Sequence, residues 1–271
     1  PPTPQPAGEA STAIENKGSD TLVNLALAWA EAYMAEHPEV RISVTGGGSG
    51  TGIAAMINGT VDIANASRAM KPEEIAAAQA NGIDPVEFVV ARDAIAVVVH
   101  PSNPVDRLTL RQISDIYTGK ITNWSQVGGE DRPIVLLSRE SNSGTYVYFL
   151  ENVIRLGDKE SDLLFSPDTL LMPSSEGISA EVRQNPNSIG YDGLGYVTPE
   201  QKVVAVAQDA QSPYVLPSVE TVNDGSYPIS RPLYMYTAGE PGGEVRDYLD
   251  WVLGLGQAIV SEAGFVPLST E

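Results

Sequence analysis

Cysteine is absent from the 271-residue chain, so neither a disulfide framework nor a thiolate metal site can form. Histidine is nearly absent: His37 and His100 are the only two, which leaves no transition-metal site of ordinary composition. No apolar run approaches the ~20 residues that a bilayer-spanning helix requires. Positive charge is scarce too, with 16 Lys and Arg against 35 Asp and Glu, a formal net charge of −19. Without a basic patch to release counterions, nucleic acid is not an expected partner, and an anionic membrane surface would repel the chain.

What remains is ample for a globular protein. At 42% hydrophobic residues the chain can fill two cores, and its length suggests about two domains. Twenty-five Gly and twenty Pro are scattered between apolar runs, which marks turns and excludes a collagen-like or low-complexity chain. Residues 1–12 open on Pro1-Pro2-Thr3-Pro4 and read as a flexible, Pro-rich leader, such as follows a removed signal or lipid anchor.

After the leader, strands and helices alternate. Ala13–Lys17 is a strand candidate; Leu22, Leu25, Ala26, Trp29 and Tyr33 then fall at helical spacing until His37-Pro38. Val40–Thr45 reads as a strand, Ile53, Met56 and Ile57 as a short helix, and Val61–Ala64 as the next strand. Lys71-Pro72-Glu73-Glu74 opens a helix with proline and acids in its first turn. The apolar stretch Val86–Val99 crosses a candidate lobe boundary. Leu110, Ile113, Ile116 and Tyr117 share a helical face, Ile134–Leu137 is a buried strand, and Thr145 starts a helix. Ser188–Val197 and Tyr227–Tyr236 read as strands, and Val245–Val260 as a closing helix. The alternation is that of an α/β protein.

Three loops share one design, a strand ending in small polar residues where a helix begins at once. They are Gly18-Ser19-Asp20-Thr21, Gly48-Ser49-Gly50-Thr51 and Ser141-Asn142-Ser143-Gly144-Thr145. Unpaired first-turn N–H groups and the helix dipole make each a potential oxyanion cradle. A single such loop is most simply an ordinary N-cap. Three of them, with Arg139 just ahead of the third, point to a site, because a guanidinium fork matches a tetrahedral oxyanion. Neutral dipoles also explain how so acidic a chain could hold an anion, since bulk charge is screened beyond about 10 Å.

Enzymatic readings lack parts. A nucleotide-phosphate loop needs Lys after its last glycine, and Ile53 follows Gly52. Gly50–Ala55 fits the loose dinucleotide pattern, but no strand-end acid follows about 20 residues on. Around Ser49 the nucleophile elbow fails at Thr51. His37 and His100 read as capping or turn residues, and Glu73-Glu74 and Glu130-Asp131 as solvated surface.

At these loops the chain resembles the periplasmic phosphate-binding proteins of ABC transporters, the PstS type, over nearly its whole length after the leader. The most specific stretches are Gly46–Gly52, Asp62–Arg68, Leu108–Gly129, Ser138–Thr145 and Ile189–Tyr196, in that order. The resemblance implies a two-lobed α/β fold of the periplasmic binding protein type (type II), each lobe a mixed sheet flanked by helices, joined by a two-strand hinge. Residues 13–98 plus 230–271 would form lobe I and 99–229 lobe II. Phosphate contacts would fall on Ser19, Asp20, Thr21, Ser49, Ser67, Arg139, Ser143, Gly144 and Thr145, whereas Trp124 would be structural. No catalytic residue, metal or cofactor is implied. Implied partners are inorganic phosphate and a transmembrane permease, for a monomer outside the cytoplasm, periplasmic or extracellular, with lipid anchoring as one form. Other readings are a binder of sulfate, molybdate or a phosphonate, a hydrolase using Ser49 or Ser143 as nucleophile, and a sensory or adhesion module.

Two departures stand out. Some family members have an aspartate where this chain has Ser67, and that carboxylate accepts the proton of hydrogen phosphate and repels sulfate. Some also have an aspartate beside the arginine, where this chain has Ser141. Asp20 is the expected substitute for proton reading, by repulsion of an unprotonated anion. The plainer alternative is that Asp20 only caps its helix.

Overall fold

The computed structural model describes residues 12–268, so the expected leader lies outside the described residues apart from Thr12. The elements, in order, are β1 (Thr12–Gly18), α1 (Val23–Glu36), β2 (Val40–Thr45), α2 (Ser49–Ile57), β3 (Ile63–Ala66), α3 (Pro72–Ala80) and the long β4 (Val86–Val99). Next come β5 (Arg107–Thr109), α4 (Leu110–Tyr117), β6 (Val135–Arg139), α5 (Gly144–Phe149), β7 (Leu170–Met172), α6 (Ser175–Gln184) and β8 (Ser188–Gly193). The chain closes with β9 (Lys202–Ala207), α7 (Val219–Asn223), β10 (Ser230–Thr237), α8 (Gly243–Leu253) and α9 (Gln257–Glu262).

β1 lies between β2 and β3, parallel to both, and β10 joins this set antiparallel to β3. β10 also pairs with the first part of β4, from Val86 to Ala94, with a register shift between Leu233 and Tyr234. Beyond that point β4 changes partners. Ile95 to Val99 pair with β8, and Val97 to Val99 also with β9 on the other edge. β6 runs parallel between β8 and β7, and β5 parallel to β9. The fold is therefore two-lobed α/β, with β4 and the start of β10 as the two strands that cross between mixed sheets.

Each lobe has its own core. On one side Ile14, Leu25, Trp29 and Tyr33 pack with Val90, Leu233, Tyr248 and Phe265. On the other Ile95, Val97, Leu108, Ile113, Tyr117, Trp124, Phe149 and Tyr191 pack with Tyr227 and Ile229. The two cores meet β4 at Ala91 and Ala94, either side of Asp93. Phe149 and Tyr191 stack with ring centroids 3.7 Å apart.

Several sequence motifs prove architectural. Thr109 and Gln112 form a capping box at the start of α4. Tyr117 donates its hydroxyl to the carbonyls of Leu137 and Ile189, and the Trp124 indole donates to Asn187. The run Leu108–Gly129 thus braces β6 and β8, the strands that carry Arg139 and Asp192. His37 caps α1 and stacks on Tyr33 at 4.2 Å, and the His100 ring bonds Ser102 within a turn. Glu74 departs from the solvated-surface expectation. Its two carboxylate oxygens take the Arg68 guanidinium at 2.7 and 2.6 Å, and one also caps the Lys71 amide. Burial works against its charge, but that fork outweighs it and holds the Glu74 carboxyl below its usual value.

Candidate functional site

The β1–α1 junction turns at Ser19, whose amide donates to Asn65 O at 2.9 Å. A short 3-10 turn, Asp20–Leu22, leads into α1, and the Asp20 carboxylate does not cap it. One oxygen instead accepts the Gly47 amide at 2.8 Å, and the other accepts Arg139 Nη2 at 2.7 Å from across the cleft. The Tyr196 hydroxyl fixes the same turn by donating to the Asp20 carbonyl at 2.6 Å. The capping alternative for Asp20 therefore gives way to an interlobe ion pair.

In the second loop Gly48 has φ +89, a left-handed conformation that favours glycine, and a Cβ there would lie 2.8 Å from Asn142 O. This close approach lets the Gly50 amide donate to Asn142 O, while Asn142 Nδ2 donates to Gly47 O. Ser49, first in α2, accepts the Ser67 amide at 3.0 Å, and the two hydroxyls lie 3.2 Å apart. An oxygen that accepts an N–H keeps its own proton to give. The Ser49 hydroxyl is thus set up as a donor.

From the other lobe, Ser143 caps α5 by accepting the Thr145 amide at 3.2 Å. Gly144 presses against the first lobe so closely that a Cβ would lie 2.4 Å from both Ser49 Oγ and Ser67 Oγ. Thr145 Oγ1 meets Thr21 Oγ1 at 2.8 Å. Among the expected residues, Asp20, Thr21, Ser49, Ser67, Arg139, Gly144 and Thr145 converge on one interlobe surface. Ser19 and Ser143 are buried in the backbone turns that present them.

Arg139, at the end of β6, is 1% exposed. Its guanidinium donates to Ser175 Oγ at 3.0 Å and to Pro173 O at 3.1 Å, besides Asp20. Ser175 passes the chain on to Asp192 Oδ1 at 2.8 Å, which also accepts the Gly193 amide. Burial pushes the Asp192 carboxyl up to about 7, against the pull of Arg139 and these two donors. Asp20 thus offsets the arginine charge, so the donors toward the cleft are mainly hydroxyls and helix-start amides.

Four residues of this network lie outside the sequence expectation. Arg231, on the crossing strand β10, donates Nη2 to Thr145 Oγ1 at 2.8 Å and pairs with Asp93 on β4 at 3.0 Å. That bond leaves the Thr145 proton free to point toward Thr21 or a ligand. Arg231 carried a legible signal, a single charged residue in the strand run Ser230–Thr237, because buried charges are kept only when paired; Asp93 stands beside Arg92 in Val86–Val99 and was less distinct. Ser175 and Asp192 carried none of comparable strength.

Comparison with known proteins follows the same lines. Residues 4–254 match the family described as PBP superfamily domain. The phosphate-binding protein PstS of Pseudomonas aeruginosa is 35% identical over 288 residues, covering 100% of this chain and 87% of that protein. PstS of Bacillus subtilis is 31% identical, covering 96% and 82%. A Clostridium perfringens crystal structure, described as a phosphate ABC transporter substrate-binding protein with bound phosphate, superposes with a TM-score of 0.84 at 35% identity, over 95% of this chain and 100% of that one. The chain belongs to the PBP superfamily and, within it, to the PstS family of phosphate-binding proteins.

Proposed function

We propose that this protein captures inorganic phosphate between its lobes, outside the cytoplasm, and delivers it to the permease of an ABC transporter without chemical change. The observation that carries the reading is the convergence of Thr21, Ser49 and Ser67 with Arg139, Gly144 and Thr145 across the cleft. Each lobe supplies only part of the cage. A tetrahedral anion therefore favours the closed arrangement by differential affinity, and the closed shape is what a permease can recognise. The changeover of the two cores supports placing the hinge at Asp93 and Arg231, nearer Asp93 than Val98 on the first crossing strand.

A binding role is favoured over hydrolysis by the surroundings of the candidate nucleophiles. Ser49 and Ser143 each accept a backbone amide, and both histidines are engaged elsewhere, so among the described residues neither serine is hydrogen-bonded to a histidine or carboxylate base. Asp20 is the proposed reader of the phosphate proton. Its oxygens each hold one donor and retain lone pairs that a P–OH group can use, whereas sulfate brings only like charge. Competition calorimetry of the stripped protein with phosphate, sulfate, molybdate and a phosphonate, from pH 5 to 9, tests this. Phosphate binding that survives a large sulfate excess is expected; equal displacement by sulfate overturns phosphate selectivity.

A further inference from the structure

Beside the cage, sharing with it only Arg231, the interlobe cleft holds a cavity of about 460 Å³. One wall is the segment Arg68–Pro72 that follows β3, and the opposite wall is α5 and its continuation, with Tyr148 and Lys159. Arg231 and Tyr234 of β10 complete it. In a chain with 16 basic residues and a net charge of −19, four basic side chains line this one cavity: Arg68, Lys71, Lys159 and Arg231. Among the described residues Glu151 is the one acid that lines it.

The two arginines are built in rather than solvated. Arg68 is 9% exposed and Arg231 2%. Each has one nitrogen, Arg68 Nε and Arg231 Nη1, that is buried without a hydrogen-bond partner among the described residues. A buried guanidinium N–H without an acceptor is costly, so both arginines keep hydrogen-bonding capacity that the described residues do not use. Lys71 and Lys159 form no ion pair among the described residues, unlike Arg68 with Glu74 and Arg231 with Asp93. The remaining lining is flat and apolar. Tyr148 lies under the Arg231 guanidinium at 5.5 Å, and Tyr234, Met70 and Pro232 face the same space. The volume falls in the range of small-molecule sites.

We propose that this cavity is a second ligand site, for an organic phosphate ester that joins a phosphoryl head to a planar apolar body. The head meets Arg231, Lys71 and Lys159, and the body lies against Tyr148 and Tyr234. Such a ligand touches both lobes and shares Arg231 with the Thr145 hydroxyl. It therefore favours closure, and by linkage it strengthens phosphate binding in the cage. This coupling rests on the closure reading above, whereas the existence of the site does not.

Phenyl phosphate is the probe. Titrated into phosphate-saturated protein, it is expected to bind once, without displacing the inorganic phosphate. Lys71→Gln combined with Lys159→Gln is expected to weaken that event about tenfold, as fits the loss of two partly exposed charge contacts, and to leave the affinity for inorganic phosphate alone unchanged. Three results would overturn the site: no binding of phenyl phosphate to saturated protein, binding that inorganic phosphate displaces, or binding indifferent to the double substitution. Loss of inorganic phosphate binding in unsubstituted protein would instead strike the cage reading, so the two failures are distinguishable.

Discussion

Gly144→Ala separates the cost of closing the lobes from the cost of folding them. A Cβ at this position would lie 2.4 Å from both Ser49 Oγ and Ser67 Oγ, about 1 Å inside ordinary contact. Both serines are essentially inaccessible and tied to each other, so neither can rotate away freely. To relieve the clash the lobes must part by about that distance, and the Thr21–Thr145 contact at 2.8 Å would stretch beyond hydrogen-bonding range. Overpacking of this kind costs about 1–3 kcal/mol. Gly144 and the serines come from different lobes, so on the closure reading the penalty falls on the ligand-bound state, and phosphate Kd is expected to rise by about 5- to 150-fold. Folding responds with the opposite sign, since alanine is a better helix former than glycine by up to about 1 kcal/mol. Calorimetry paired with thermal melts of stripped protein reads both effects. A Kd within twofold of the parent would refute the reasoning. So would a Tm several degrees lower without ligand, which would place the clash in the resting state as well.

Other substitutions probe other links. Asp192→Asn removes a carboxyl whose folded value, about 7, lies above the roughly 3.9 of an unfolded aspartate. The folded state therefore keeps a proton that the unfolded state releases, and wild-type stability falls as pH rises through that window. The variant is expected to match wild type near pH 4 and to exceed it by a growing margin toward pH 8 in urea midpoints; a margin independent of pH would contradict this. Asp20→Asn is expected to raise sulfate affinity about tenfold or more while weakening phosphate, read by paired titrations. Unchanged ratios would remove Asp20 as the proton reader. Arg231→Lys keeps a charge but loses the fork that serves Asp93 and Thr145 together. It is expected to lower both Tm and phosphate affinity, and an unaltered affinity would confine Arg231 to a structural role.

Much of this organisation was legible in the sequence because it follows from local chemistry. The strand at Val40–Thr45, the helix face of Leu110 to Tyr117 and the glycine-led turns before α2 and α5 need only periodicity and helix-start residues. Tertiary contacts hid the rest. The expected closing helix over Val245–Val260 divides into α8 and α9, because the Trp29 indole donates to Gly256 O and a Cβ at Gly256 would strike the Trp251 ring at 2.9 Å. No element was expected over residues 155–187; β7 there pairs with β6, and Ile178 and Val182 of α6 pack against Gly190 of β8. For the proposed cage, Thr21, Ser49, Thr145 and Arg139 stood in or beside the helix-start loops that composition singles out, whereas Ser67 came only from the family resemblance. What neutralises Arg139 could not be read that way, since Asp20 reaches it from far away in the chain and Asp192 is linked to it only through Ser175. The pairing also sharpens the role of Asp20, which is a bridge between lobes and not a helix cap.

The central claim, that phosphate is held by a cage both lobes complete around Arg139, is tested most directly by phosphate calorimetry of ligand-stripped protein beside its Arg139→Ala variant. One phosphate per chain is predicted for the parent. The variant is predicted to bind about 30-fold or more weakly, because truncating one partner of a buried charge-assisted contact costs about 2–5 kcal/mol. No binding by the parent, or equal affinities in the two proteins, would contradict the account.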